Sequence, residues 1–251
     1  DSPEAFKKAC LECEKPITAI KVGSSEIGVK AAFAHTASEN QGHSNAEYDK
    51  LFEESGVLRE KTWQEFLDTS LALGNCPPLR GDNVVIITNG GGAGLLAADH
   101  FERLGMPLKE LKDISPDLRE NIRNYMPAFG SPLNPVDISG TATSDMYGGA
   151  LKTAYRDEHV DGILISVCPT AVTDVEAITE TVINIHRQYK NLGKPFIMEC
   201  QGGNECREAI MKLRDKGIPA YSTPEQAVNA MVALRKYSHI MNKKEKLIKN
   251  I

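Results

Sequence analysis

Val84–Val85–Ile86–Ile87–Thr88–Asn89–Gly90–Gly91–Gly92–Ala93–Gly94–Leu95–Leu96–Ala97 is the stretch that decides the fold. Its apolar run predicts a strand over 83–88 buried on both faces, and the Gly90–Gly94 turn feeds a helix reaching about Leu104. A strand that passes through glycines directly into a helix opens a β-α-β crossover.

Downstream the same grammar repeats. A helix is expected near 116–125, then Asn134–Pro135–Val136–Asp137, and a helix over 145–157. Next come a strand over 161–167, a helix over 173–190, a strand over 195–199 and a helix over 203–215. A short strand near Ile218–Tyr221 and a last helix from about Pro224 to His239 complete the series. Strands alternating with helices of this length predict a parallel sheet covered on both faces, a complete doubly wound α/β unit.

Upstream the pattern is sparser. Ser2 and Pro3 suit a helix start, and Phe6, Ala9, Cys10 and Cys13 recur on one helical face. Ile17–Val22 is strand-sized, and Gly23–Ser24–Ser25 can cap the alanine-rich helix that follows. A helix carrying Tyr48, Leu51 and Phe52 should stop at Gly56. Thr62 and Glu65 form a capping box, after which Trp63, Phe66, Leu67 and Leu71 mark an expected buried face that Gly74 closes. Asn75–Cys76–Pro77–Pro78 reads as a linker, because adjacent prolines neither continue a helix nor join a central ladder. The expected organisation is therefore a first domain over 1–75, a linker over 76–81, a second domain over 82–240 and a charged tail over 241–251. Lys15–Pro16 before 17–22 echoes Lys194–Pro195 before 196–199, a short internal similarity that ordinary α-to-β connections also produce.

The 251 residues include 41% hydrophobic and 25% charged side chains, an ordinary globular balance that excludes disorder as the main state. The apolar runs fall far short of the ~18 residues a bilayer span requires. A net charge of −5 argues against a general nucleic-acid surface. Six unevenly spaced cysteines, with no charged-then-apolar leader, suggest a reduced, cytoplasmic protein rather than a disulfide framework. An opening Asp1 in place of Met, with the charged run Lys243–Lys246, suggests a piece of something longer.

The first candidate site is the helix start at Asn89, Gly90, Gly91, Gly92, Ala93 and Gly94, where exposed amides and the helix dipole favour an anion. Glycine required only for a tight turn is the plainer alternative. Gly92–Ala97 also satisfies the loose dinucleotide pattern G-x-G-x-x-A, with Glu110 or Asp113 near the ribose-acid position. That would make the chain a nicotinamide oxidoreductase.

The second candidate is His35, which ends the small-residue helix and opens a polar loop. A neutral imidazole, with a pKa near ~6.5, is a competent phosphoryl acceptor at physiological pH. Capping of the helix carbonyls is its alternative role, and His43 is a chemical rival. Cys10-x-x-Cys13 lies inside a helix, which favours packing over redox chemistry. Cys200 has no histidine near it in sequence, and His100, His159, His186 and His239 fall on helices or helix ends. The scattered histidines and cysteines show no zinc spacing, and no metal site is expected.

Lys15–Pro16–Ile17, Lys21–Val22–Gly23–Ser24, Gly28, Ala31–Ala32, Ala34–His35–Thr36 and Gly42 together resemble the phosphohistidine segment of the NDP-forming acyl-CoA synthetases, the ADP-forming acetate–CoA ligases and other relatives of succinyl-CoA synthetase. Thr88–Gly94 with Asp99, Asn134–Asp137, Asp161–Gly162, Gly202–Gly203, Gly217–Pro219 and Thr223–Glu225 resembles the same family's second flavodoxin-like domain. The resemblance implies an α/β fold of two flavodoxin-like doubly wound parallel-sheet domains, the first incomplete at its N-terminus.

It also implies an acid–CoA ligase in which phosphate attacks an acyl-CoA, a histidine takes the phosphoryl group, and ADP receives it. His35 would be the acceptor, with Thr36 and the 89–94 loop binding phosphate. Coenzyme A, ADP or ATP and magnesium would serve the complete enzyme, with phosphate at this chain. The partners implied are a CoA-binding domain and a nucleotide-grasp subunit or domain, in an oligomer of like or unlike chains, without nucleic acid or membrane. Ala34 and Ala37 stand where the family usually has Ser and Gly. That departure motivates an alternative, a regulatory or ligand-sensing module without catalysis.

Overall fold

The computed structural model describes residues 2–35 and 44–249, with the side chains of Phe33, His35 and residues 246–249 left aside. The chain divides into two compact units, residues 1–70 with 239–251, and residues 71–238.

In the first unit, α1 (Pro3–Glu12) starts on Ser2, whose hydroxyl accepts from the Ala5 amide at 3.2 Å. β1 (Thr18–Ile20) is shorter than the 17–22 run and pairs in parallel with β2 (Leu58–Glu60), Thr18 opposite Leu58. Between them lie α2 (Glu26–His35) and α3 (Asn45–Ser55). α3 opens on a complete capping box between Ser44 and Glu47 and closes on Gly56 in the left-handed region, φ 69°. Cys10 packs in a small core with Phe52 and Val57, while the half-buried Cys13 thiol donates to the Lys15 carbonyl; neither forms a disulfide.

α4 (Trp63–Asn75) has the expected Thr62–Glu65 capping box but not the expected buried face. Asp68, Thr69, Ala72 and Leu73 are buried, while Trp63 is 64% and Leu67 45% exposed. Apolar residues stand on two sides of this helix, so periodicity alone could not choose between them. α11 (Pro224–Lys249) also departs from expectation by continuing ten residues beyond His239. No glycine or proline interrupts the lysine-rich segment, and the Lys244 ammonium donates to the Cys10 and Cys13 carbonyls, which ties the segment to α1.

The second unit follows the predicted alternation. Its sheet runs β4 (Val136–Asp137), β3 (Val84–Thr88), β5 (Gly162–Val167), β6 (Phe196–Cys200), β7 (Ala220–Tyr221), all parallel. In chain order this is 2-1-3-4-5, the flavodoxin-like arrangement. β3, β5 and β6 are buried throughout, which is why each is mostly apolar, with Thr88, Ser166 and Glu199 as the polar exceptions.

The helices α6 (Leu111–Ile114), α7 (Leu118–Arg123), α8 (Ser144–Arg156), α9 (Val175–Tyr189) and α10 (Asn204–Asp215) share one core with Val85, Ile87, Ile163, Ile165 and Met198. The alternate strand residues face the other way, where α11's Met231 lies 3.3 Å from the position a Gly162 Cβ would take. α5 (Gly91–Arg103) contacts β3 and β4.

Candidate functional site

In a 2-1-3-4-5 sheet the chain order reverses between the first and third strands, here β3 and β5, and the crevice beyond their carboxyl ends is where such folds bind ligands. The loops leaving those strands are Asn89–Gly90, which starts α5, and Cys168–Asp174, which leads to α9.

Asn89 joins the two. Its side-chain amide donates to the Cys168 carbonyl at 2.9 Å and to the Thr173 hydroxyl at 3.4 Å, and its oxygen accepts from the Cys168 amide at 2.8 Å. The expected phosphate ligand Asn89 is thus a buried brace across the switch point, its side chain engaged on both loops.

Gly90 caps α5 without a side-chain bond, held by its amide donating to the Thr88 hydroxyl at 3.0 Å. The first amide to bond back along the helix is that of Gly94, to the Gly90 carbonyl at 3.2 Å. The amides of Gly91, Gly92 and Ala93 precede that bond and point out of the helix end.

The glycines serve two purposes. A Cβ on Gly90 would lie 2.4 Å from the Cys168 sulfur, one on Gly91 2.7 Å from an Asp137 carboxylate oxygen, and one on Gly94 2.9 Å from Pro135. Close approach requires all three. Gly92 has nothing within 4 Å, so its glycine leaves an open approach. Asp137 flanks the first turn with its other oxygen accepting from the Ser139 amide at 2.8 Å, and its charge disfavours an anion on the Gly91 side, leaving the Gly92 side the more favourable approach.

Asn134 sets this wall: its side chain accepts from the Ile86 amide and donates to the Val84 carbonyl, which fixes Pro135 against Gly94.

The dinucleotide alternative loses its support here. Gly92 and Gly94 sit within α5 rather than in the turn before it, Glu110 precedes the four-residue α6, and Asp113 lies inside it, so neither acid ends a second strand.

In the first unit, His35 is the last residue of α2. Its side chain, Thr36 and the rival His43 lie outside the described residues. A cluster around Asn45 joins Lys21, which the sequence reading named only within the resembling segment, to Arg59, which it did not name. The Lys21 ammonium donates to the Gly23 carbonyl at 3.1 Å and to the Asn45 side chain at 2.9 Å, and Arg59 reaches the same Asn45 and pairs with Asp49. Both cations follow or sit in strands, which gave no sequence signal beyond their charge.

Two further features at the carboxyl edge of the second sheet were not legible. Thr88, Ser166, Glu199 and Tyr221 form one row across β3, β5, β6 and β7. Glu199 is fully buried, and among the described residues its carboxylate oxygens make no hydrogen bond of full geometry; the Ser166 hydroxyl beside it is the one polar side chain on the same row that acts on it. Burial raises the Glu199 pKa to about 7, opposed by the nearby Ser166 hydroxyl and reinforced by the Glu225 carboxylate.

Cys200 and Cys206 form a disulfide, contrary to the expected set of reduced cysteines. The Gly202–Gly203 turn brings the first turn of α10 back to the end of β6 and places the two Cα atoms 5.3 Å apart, within bridging range. Among the described residues no group of three or more His, Cys, Asp or Glu could hold a metal ion, and no helix is long and apolar enough to cross a membrane.

Comparison with known proteins matches residues 84–244 to a family described as Ligase-CoA domain and residues 1–73 to one described as succinyl-CoA ligase like flavodoxin domain. The chain is 44% identical over 231 residues to the alpha subunit of acetate–CoA ligase [ADP-forming] I of Pyrococcus furiosus, which covers 90% of this chain and 47% of the relative. It is 33% identical over 229 residues to acetate–CoA ligase [ADP-forming] I of Archaeoglobus fulgidus, 91% of this chain and 31% of that protein. A solved dinucleotide forming acetyl-coenzyme A synthetase 1 of Ca. Korarchaeum cryptofilum, in complex with phosphate and ADP, superposes with a TM-score of 0.87 at 33% identity, over 97% of this chain and 51% of that one. The chain thus spans about half the length of the first relative and about a third of the second.

Proposed function

The chain belongs to the ADP-forming acyl-CoA synthetase family, the relatives of succinyl-CoA synthetase, and on that premise we propose that it is the phosphoryl-relay portion of an acid–CoA ligase. The reaction is acyl-CoA, ADP and phosphate giving acid, CoA and ATP. Phosphate displaces CoA from the thioester, the His35 imidazole attacks the acyl phosphate and releases the acid, and the phosphohistidine passes the group to ADP.

The observation that carries the proposal is the start of α5. Three outward amides at a helix N-terminus, open on the Gly92 side and braced at the switch point by Asn89, form a preset donor array for a phosphoryl dianion. The site calls for backbone from Gly91, Gly92 and Ala93, with Gly90 and Gly94 shaping it. Thr36 adds a hydroxyl next to the acceptor. The solved relative bound to phosphate and ADP supports the same ligand class.

The CoA-binding domain and the nucleotide-grasp module are assigned to partner parts of the enzyme, in keeping with a relative that is an alpha subunit. Magnesium is assigned with the nucleotide to those partner parts, where phosphate oxygens supply its ligands. The cytoplasm, where CoA, ADP and phosphate meet, is the proposed setting.

The test is labelling of the assembled enzyme with acyl-CoA and radioactive phosphate. An acid-labile, base-stable label is expected, lost in His35→Ala and kept in His43→Ala. A label that survives His35→Ala refutes the assignment, and an assembly that binds acyl-CoA yet never labels favours the regulatory alternative.

A further inference from the structure

At the opposite end of the second unit's sheet from the start of α5, where β6 begins and α9 and α10 end, lies a cavity of about 420 Å3. Its rim carries Arg187, Lys190, Lys194 and Lys216, its wall includes Ile183 and Phe196, and no carboxylate lines it. Four cations around one cavity are conspicuous in a chain whose net charge is −5.

Ordinary structural roles account for part of this charge. α9 and α10 both end here, and each helix C-terminus carries about −0.5 of a charge, together roughly one unit. The Lys194 ammonium is half-buried and donates to the Asp157 and Ala154 carbonyls, with the Asp157, Glu158 and Asp161 carboxylates acting on it.

Arg187, Lys190 and Lys216 remain. None has an ion pair or side-chain hydrogen bond among the described residues. Arg187 and Lys216 act at longer range on the Glu180 carboxylate, which is already paired with Lys212 at 2.5 Å. Three unpaired cations against about one unit of dipole charge leave roughly two positive charges uncompensated at the mouth of a preformed cavity.

A monoanion would not match a surplus of about two charges, and the cations come from separate elements that a chain of phosphates can bridge. Lys190 opens the 3-10 turn Lys190–Leu192, whereas Lys216 ends α10. We propose that this cavity binds a polyphosphate group, the chain of two or three phosphates carried by a nucleotide or free in solution, at a site separate from the phosphoryl site at α5. The apolar wall suits a nucleotide base, and the cations suit the phosphates of either source.

The test is calorimetric titration of the 251-residue chain at low salt with inorganic triphosphate and, in parallel, with ADP. Saturable binding is expected, weakened about tenfold or more by the Lys190→Glu, Lys216→Glu double variant and partly by Lys190→Gln, Lys216→Gln. These side chains are exposed, and an unchanged near-ultraviolet circular dichroism spectrum confirms that each variant is folded.

Gly92→Asp, which places a carboxylate at the first turn of α5, should leave this binding intact. The two sites can therefore fail independently. Tighter binding of ADP assigns a nucleotide, and equal binding assigns the phosphates alone. The proposal is overturned if neither compound binds, if charge reversal leaves affinity unchanged, if Gly92→Asp abolishes the binding, or if polyglutamate binds where both phosphate compounds fail.

Discussion

Glu199 is a buried acid whose energetics depart from its sequence context. A single acid inside the strand Phe196–Cys200 looks like a surface position, yet the sheet register buries it between Ser166 and Tyr221. Its folded pKa of about 7 lies above the ordinary 4.5, so the native state keeps a proton that the unfolded chain gives up. Its contribution to stability is full below pH 4.5 and is lost as the pH rises through 7, by about 3 kcal/mol at most. Glu199→Gln should therefore raise the unfolding midpoint at pH 8 and leave it nearly unchanged at pH 4; equal shifts at both would contradict the assignment. His186 acts in the opposite sense. Burial and the Lys190 ammonium push it down to about 4, so its contribution is present above pH 6.5 and lost as the pH falls through 4.

The glycines of the α5 start make a second residue-scale test. Gly94→Ala forces a methyl against the rigid Pro135 ring and should cost about 1–3 kcal/mol. Gly92→Ala meets nothing and should leave thermal stability unchanged or slightly higher, because alanine is the better helix former. Equal destabilisation by both would show that the turn, and not the close approach, sets the glycine requirement.

Among the elements, legibility followed burial. β3, β5 and β6 were readable because strands buried on both faces are mostly apolar, and α8, α9 and α10 because flanking loops and capping residues punctuate them. α4 was misread in its face and α11 in its length. Both carry information of the wrong kind: α4 is apolar on two sides, and the end of α11 is held by contacts of Lys244 far away in sequence. The role of Asn89 and the Cys200–Cys206 bridge were illegible for the same reason, since each depends on which loop the fold brings alongside.

α3 carries an element-scale prediction. Its capping box joins the Ser44 hydroxyl to the Glu47 amide and the Ser44 amide to the Glu47 carboxylate, at the helix start that presents Asn45 to Lys21 and Arg59. Ser44→Ala should lower stability by about 1 kcal/mol, with Ser44→Asp restoring it, as read from thermal unfolding. Unaltered stability in Ser44→Ala would show that tertiary contacts alone hold the helix start.

For the molecule as a whole, the two candidate sites stand on different units and do different chemistry. On the proposed reading the first would supply a nucleophile at the end of α2 and the second fixed donors at the start of α5. A covalent intermediate lets one group be received at one place and delivered at another, which suits a reaction whose CoA and nucleotide steps are assigned to partner parts.

The motifs for both sites were visible in sequence because imidazole chemistry and glycine-lined amides each need particular residue types. The basic cavity was not, because its cations come from separate elements brought together only by the fold.

The most direct measurement is peptide mapping of the assembled enzyme after brief exposure to acyl-CoA and radioactive phosphate. Tryptic cleavage after Lys30 and Lys50 leaves both His35 and His43 on one peptide, so fragmentation must place the phosphate within it. The account predicts phosphate on His35, chased into ATP by added ADP. Phosphate on His43 or on any other peptide, or a His35 label that ADP does not remove, would contradict it.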